Sequence, residues 1–500
     1  MINAERFRMW DDSLSNKGFA PSDILGYHNM SAGNAPIMWS DDQTSTADAL
    51  MGRVFYSFKD RYMLTVSTRR DGYSAFGQKN PRALFSSAAL GWVFTDEPFF
   101  KNSWLNYGKL RASYGTNGNR DIGRYDALAN LATGKYLHVN AAGTAVQVSQ
   151  LYVDRMQNPN LKWERTNSLN FGLDFSLFNS IIDGSIELYK SSTHDLLVKR
   201  ALPNVLGFDF VLDNLGQVDN KGLEISLNSN NMRRDNFTWK STLNFQMNRN
   251  KIVHLYGTNT QIKDAAGNVT GTREADDVTN RWFIGHAIDE IWNYKVLGVW
   301  QTEEADAAAK YGVKPGDHKI LDVNGDGKFT NDDKVFQGFT SPRARLTFRN
   351  EFKLFKVFDV SAMMYSYLGQ KGEFNQMKNR PGFPDRSSSY VFPYWTAENP
   401  NKEWARLYSS EGSATGYSVY RSKSFLRFES VAVAYTIPKN LVKKINIENL
   451  RVYGNVRNLG FISSWKFWDP ENGTNNATNQ NLAVSVPSPR IFTIGLDITL

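Results

Sequence analysis

The stretch Asp322-Val-Asn-Gly-Asp-Gly-Lys-Phe-Thr-Asn-Asp-Asp333 is the one strong metal signal in the chain. Asp322, Asn324 and Asp326 fall at positions 1, 3 and 5 of an EF-type loop, and Gly327 falls at its sharp turn. Lys328 offers its carbonyl at position 7, Thr330 acts directly or through water, and Asp333 brings a carboxylate at position 12. Oxygen donors at this spacing suit a hard cation that takes about six to eight of them. Calcium is the expected ion, in a structural role that stiffens a loop. Aspartate replaces the usual glutamate at position 12, which shortens the reach and matches the dockerin version of the loop. The same residues also make an Asx-rich surface turn without metal.

The second set is aromatic. Trp282, Trp292, Tyr294 and Trp300 lie in one stretch without strand periodicity. Phe383, Tyr390, Phe392, Tyr394, Trp395 and Trp404 lie in another, and Trp465 and Trp468 in a third. Flat rings beside Asp, Asn and Arg suit stacking on sugar faces. Tyr394, Trp395 and Trp404 are the ligand candidates, and self-packing of the loops is the alternative for any single ring. Catalytic chemistry finds no support. The histidines at 28, 138, 194, 254, 286 and 318 are scattered, with no HExxH pair, Gly-x-Ser-x-Gly elbow or Walker loop.

These residues must be held by strands. Leu169, Phe171, Leu173, Phe175 and Leu177 alternate with Asn170, Gly172, Asp174 and Ser176, and Ile182–Leu188 repeats the pattern. The alternation returns over 54–58, 62–68, 88–94, 110–114, 223–227, 237–248, 346–354, 358–364, 424–436 and 450–456, with a bulge expected near Glu429-Ser430. Phe237, Trp239, Leu243, Phe245 and Met247 oppose Thr238, Lys240, Thr242, Asn244 and Gln246. Burying those polar groups in a dry core would cost kilocalories each, whereas facing water costs little. One oily and one polar face describe a wall between lipid and a wet lumen. Asp174, Glu187, Glu224, Lys240, Arg345, Arg349 and Glu351 are placed on the lumen side.

Connections alternate short and long. The long ones are 116–164, 192–220, 250–342 (holding the calcium-type loop 322–333), 369–420 and 460–488, and 1–49 reads as an irregular extracellular loop segment. Short turns at one end and long loops at the other are the pattern of a transmembrane barrel. The reading is all-β: an antiparallel transmembrane β-barrel over 50–500, with about thirteen strands. It is a partial barrel, whose last strand needs a partner strand. The composition agrees. Aromatics reach 13%, cysteine is absent, and the mean hydropathy is −0.46. Alternate residues suffice to face lipid, so low hydropathy does not oppose a barrel. The net charge of +8 is spread along the chain and carries no nucleic-acid implication. No signal-peptide pattern opens the sequence, which suggests a start further upstream.

Five stretches then point one way: Asn106-Tyr-Gly-Lys-Leu-Arg-Ala-Ser-Tyr-Gly-Thr-Asn-Gly-Asn119, Asn160-Leu-Lys-Trp-Glu-Arg-Thr166, Gly216-Gln-Val-Asp-Asn-Lys-Gly-Leu-Glu224, Leu321-Asp-Val-Asn-Gly-Asp-Gly-Lys328, and Pro489-Arg-Ile-Phe-Thr-Ile-Gly-Leu-Asp-Ile-Thr-Leu500. Their order resembles SusC-like (RagA-type) TonB-dependent outer-membrane transporters. The last also resembles a C-terminal outer-membrane targeting strand, with Gly495, Ile498 and Leu500 at its spacing and Leu500 departing from the usual aromatic residue. The resemblance implies the C-terminal part of a barrel of about 22 strands, in the outer membrane of a Gram-negative bacterium with its loops extracellular. It implies TonB-driven import of oligosaccharides or peptides beneath a SusD-like surface lipoprotein. The plug, the TonB-contacting segment and the earlier strands are not in this chain. The alternative is a non-transporting outer-membrane or secreted β-protein acting as an adhesin or assembly scaffold.

Overall fold

A computed structural model describes residues 2–17, 35–202, 204–208, 210–263, 267–378, 393–414, 416–443, 447–466, 469–471 and 488–499. Phe383, Tyr390, Phe392, Trp468 and Leu500 lie outside them. Fourteen strands form one sheet in sequence order. They are β1 (Ile2–Lys17), β2 (Ala35–Phe58), β3 (Tyr62–Tyr73), β4 (Arg82–Val93), β5 (Leu105–Asn119), β6 (Glu164–Leu177) and β7 (Ile182–His194). Then come β8 (Gln217–Arg234), β9 (Phe237–His254), β10 (Ala344–Leu354), β11 (Phe358–Leu368), β12 (Phe425–Thr436), β13 (Asn449–Ser463) and β14 (Ile491–Thr499). Every neighbouring pair is antiparallel, so alternate connections fall at alternate ends.

Register explains why these residues make a wall. Tyr62, Trp92, Leu110, Leu173, Ile186, Ile225, Phe245 and Leu346 pair in turn across eight strands. A one-residue slip anywhere would put polar groups into that row. The apolar face is uncovered: Ile494 is 85% exposed and Phe492 is 71% exposed. Exposed large apolar side chains in continuous rows are the surface a barrel gives to hydrocarbon. A concavity of about 760 Å³ lies mainly over this face, against Leu64, Leu90 and Phe171. It is a feature of the apolar side.

The short-turn end is built as expected. Lys59 and Asp60 hold φ of 52° and 53°. Two successive positive values make the tight hairpin turn whose twist matches the flanking strands. Phe355 and Lys356 repeat it at 51° and 62°. Rings collect at this end: Phe58 with Tyr62, Trp104 with Phe178, and Phe358 with Tyr435, at centroid separations of 6.3, 6.4 and 4.7 Å. Amphipathic rings at one level of a barrel suit the membrane–water boundary. The bulge is present, since the pairing of β12 with β13 shifts between Phe428 and Ser430.

The loop expected over 1–49 is corrected. Strand β1 and the first half of β2 occupy much of it, pairing from Ile2↔Leu50 to Lys17↔Ala35. Among the described residues the sheet therefore has fourteen strands, close to the expected thirteen or so. The strands also run into the expected loops, to Asn119, His194 and His254. The cause is common to all. Strand β2 has 24 residues. At ~3.3 Å per residue it is about 80 Å long, and even tilted by about 45° it rises roughly twice the ~25 Å apolar band. Above the band both faces meet water, so the ladder continues without alternation.

Candidate functional site

The long loops form a layer with its own core. Tyr294, Phe374, Trp404, Tyr417, Val419 and Trp465 bury one another, drawn from three connections that are remote in sequence. Short two-stranded ladders hold these loops: 290–294 with 334–339, 296–299 with 318–320, and 371–373 with 420–422. Trp404 is 5% exposed and meets Phe374 edge to face at 5.8 Å. A ring sealed in this way has no free face for a sugar, which corrects its placement as a stacking residue. Trp395 is half-buried and donates its indole N–H to Gln301 Oε1 at 3.1 Å. Of the three rings only Tyr394 is exposed.

Polar staples hold the same loops together. His318 Nε2 lies 3.0 Å from the Glu403 carbonyl, which can only accept, so Nε2 carries the proton. Nδ1 then accepts from the Tyr417 hydroxyl at 2.8 Å. Burial lowers the imidazole pKa to about 4, and nearby Lys378 adds to the effect. Asp317 is fully buried and accepts from Arg406 Nε at 2.8 Å and from the amides of Lys314 and Ser410. No local pattern marks His318, because its partners lie 85 and 99 residues away.

The first half of the 322–333 loop is held by its own backbone amides. Asp322 accepts from the amides of Gly325 and Gly327 at 2.7 and 2.9 Å. Gly327 sits at φ 77°, where a side chain would be strained. Asn324 Nδ2 reaches Asp326 Oδ2 at 3.1 Å, and Asp326 accepts from the Lys328 amide. These side-chain oxygens keep further lone pairs. The second half differs. Asp333 is fully buried, with its two oxygens taken by the amides of Val323 and Thr330 at 2.9 and 2.8 Å. Among the described residues no three His, Asp or Glu groups converge as metal ligands. Asp322, Asn324 and Asp326 thus brace the turn through the loop's own amides, while Asp333 clasps its two ends.

Below the loops, the polar face carries charge as expected. Arg111 on β5 forks onto Asp174 of β6 with two 2.8 Å bonds and reaches Glu187 of β7 at 2.9 Å. Asn170 also donates to Glu187, at 2.8 Å. Arg349 pairs with Glu351 at 2.5 Å. At one position this face and the loop layer enclose a cavity of about 370 Å³. Arg345 and Tyr367 enter it from β10 and β11, and Gln370, Lys423, Trp465 and Glu471 from the loops. Beside it, Arg427 is 1% exposed and pairs with Asp469 at 2.5 Å, while Tyr365 donates to Glu471 at 2.6 Å. Arg345 was legible as a lumen residue, but its loop neighbours had no periodic signal.

Relatives share this architecture. The chain is 32% identical over 497 residues to TonB-dependent receptor P26 of Formosa agariphila, covering 96% of this chain and 49% of the relative. It is 28% identical over 464 residues to TonB-dependent receptor SusC of Bacteroides thetaiotaomicron, covering 91% and 44%. The chain spans about half the length of the curated relatives it matches. The structure of the RagAB peptide transporter superposes with a TM-score of 0.75 at 21% identity, over 99% of this chain and 52% of that one. At that identity the likeness shows the fold. These relatives are receptors and transporters by name, in keeping with a chain that has no catalytic motif, and the family is one of outer-membrane proteins. Residues 8–459 match the family described as TonB dependent receptor-like, beta-barrel, and with most of its length so matched the chain belongs to that family.

Proposed function

We propose that this chain is the distal barrel wall and loop layer of an energised outer-membrane importer for oligosaccharides or peptides. The carrying observation is a continuous polar face, with its Arg111–Asp174–Glu187 network, beneath a layer of long loops confined to one end. A wet, charged face suits passage of hydrophilic oligomers, and a packed loop layer suits their capture. In this reading the loops are extracellular. TonB acts through a plug outside this chain, earlier strands complete the barrel, and a SusD-like lipoprotein covers the mouth. The names of the relatives, SusC and the RagAB peptide transporter, support the reading.

Loop 322–333 belongs to the proposal as a calcium-stiffened element, with ligands from Asp322, Asn324, Asp326 and the Lys328 carbonyl. Tyr394 is the retained ligand-facing ring. The test is uptake of labelled oligosaccharides and peptides by cells with and without the gene, before and after collapse of the proton gradient. Uptake that needs both supports import. Uptake indifferent to both overturns it in favour of the adhesin or scaffold reading.

A further inference from the structure

On the outward face, one stretch of the wall passes from apolar to polar through a row of cations. Phe171, Leu188, Leu223 and Met247 stand opposite one another across β6 to β9, and Phe171 and Leu188 are 53% and 54% exposed. The next row toward the long loops on the same face is Leu169, Lys190, Lys221 and Arg249. Two residues along a strand span about 7 Å, so these cations stand just beyond the surface given to hydrocarbon. Lys190 and Lys221 are exposed. Arg249 is half-buried and donates to the carbonyls of Asn248 and Arg343.

Like charges directly opposite in a ladder repel, and here that happens twice in succession. None of the three cations makes an ion pair among the described residues. In the row above, Asp219 stands opposite Ser192 and Lys251, and it accepts from Ser192 at 2.6 Å and Gln217 at 2.8 Å. Across the two rows it is the single carboxylate among Lys190, Lys221, Arg249 and Lys251, so the patch is positive. Asp289 is held on the inward side by Asn250 at 3.0 Å. Elsewhere the same outward face matches its charges: Arg82 pairs with Asp48 at 2.9 Å across Gly72.

The row lacks an anion, and its position selects the kind. A soluble polyanion has no use for the Leu188–Leu223–Met247 row beside the cations. An amphiphile matches both, with acyl chains on the apolar row and an anionic head where lysine stems reach out of the oily side. Phosphate oxygens accept from several ammonium groups at once, so one phosphate answers both lysines. We propose that Lys190, Lys221 and Arg249 form a docking site for the phosphate of an outer-leaflet lipid whose chains lie on Leu188, Leu223 and Met247. The inference rests on the loops-outward orientation of the reading above, and on no part of its transport.

The test uses the full-length outer-membrane protein in neutral detergent, with binding read by native mass spectrometry. The probes are a lipid A bearing phosphate, the same lipid without phosphate, and inorganic phosphate alone. The phosphorylated lipid is expected to bind about tenfold or more tightly than its dephosphorylated form. Lys190→Gln and Lys221→Gln are each expected to weaken it about fivefold, roughly the worth of one basic residue at an anionic leaflet. Lys135→Gln, on an exposed ladder in the loops, is expected to change nothing. Lys221→Glu should abolish the preference for phosphate while lipid-free thermal unfolding stays as high or rises, since it sets a carboxylate between Lys190 and Arg249. Equal binding of the two lipids overturns the site, as do lysine variants without effect. Inorganic phosphate binding as tightly as the lipid also overturns it, as does binding lost only in step with lipid-free stability. The orientation is read separately, by an impermeant maleimide on intact cells carrying Thr144→Cys at an exposed loop tip. Labelling supports the outer leaflet. Labelling only after lysis overturns the orientation, and the outer-leaflet placement with it, whatever the detergent result.

Discussion

The phenol ring of Tyr453 on β13 covers Gly495 on β14, occupying the space a side chain at 495 would need. A Cβ built there would lie 2.3 Å from the ring Cζ. The glycine that marks the terminal strand in the sequence is therefore a seat for its neighbour's ring. Tyr189 covers Gly222 in the same way, with its ring Cζ 2.4 Å from the built Cβ. Gly495→Ala is expected to cost about 1–3 kcal/mol by overpacking. Tyr453→Ala combined with it should recover part of the loss. Unfolding of the two single variants and the double variant tests this, and strict additivity would deny the coupling.

Acid should loosen the loop layer before the wall. His318 has a folded pKa of about 4 against an ordinary 6.5, and burial is the leading cause. The unfolded loop then binds more protons than the folded one between those values. The neutral imidazole carries no penalty above pH ~6.5, and the penalty grows to about 3 kcal/mol as pH falls through about 4. Protease susceptibility of the loops should rise over that window, with the rise attenuated in His318→Gln. Tyr417, the Glu403 carbonyl, Lys378 and Asp317 surround the ring, so the variant separates the imidazole from its neighbours.

Trp404→Ala should act on stability. Removing a large buried ring costs about 3–5 kcal/mol, and here the loss falls on the core that joins three loops. Loop proteolysis should accelerate while the heat-resistant barrel band on gels persists. Tyr394→Ala should leave proteolysis unchanged and reduce ligand binding alone.

Calcium is tested by calorimetry. Asp326→Ala is expected to abolish calcium binding to the loop, because it removes a central side-chain donor. Asp333→Asn should instead loosen the loop even without the ion, since both Asp333 oxygens hold backbone amides. Calcium binding unchanged in Asp326→Ala would sink the assignment.

The wall was legible wherever its two faces meet different solvents, as at Leu169–Leu177. It was illegible over Ile2–Lys17, where no such contrast writes itself into the residues. The site divides in the same way. Arg345 and Glu187 could be placed by parity, and the Asp322 loop by spacing. Trp404 was misread because an aromatic residue in a polar loop looks the same whether it waits for a sugar or packs on Phe374. His318 acquires its surroundings only when segments 85 and 99 residues away meet it.

That loss of contrast is itself a gauge. Leu169 is paired with Tyr114 on one side and Lys190 on the other, and Lys190 with Lys221. One step further from the short turns on the same face come Thr116, Asn167 and Ser192. The outward row thus passes from hydrocarbon-loving to hydroxyl-bearing within a single residue pair, with two lysines whose stems can lie along the oily side while their heads reach out. The chain carries its own waterline, drawn across the sheet by register, and the packed loop layer stands above it.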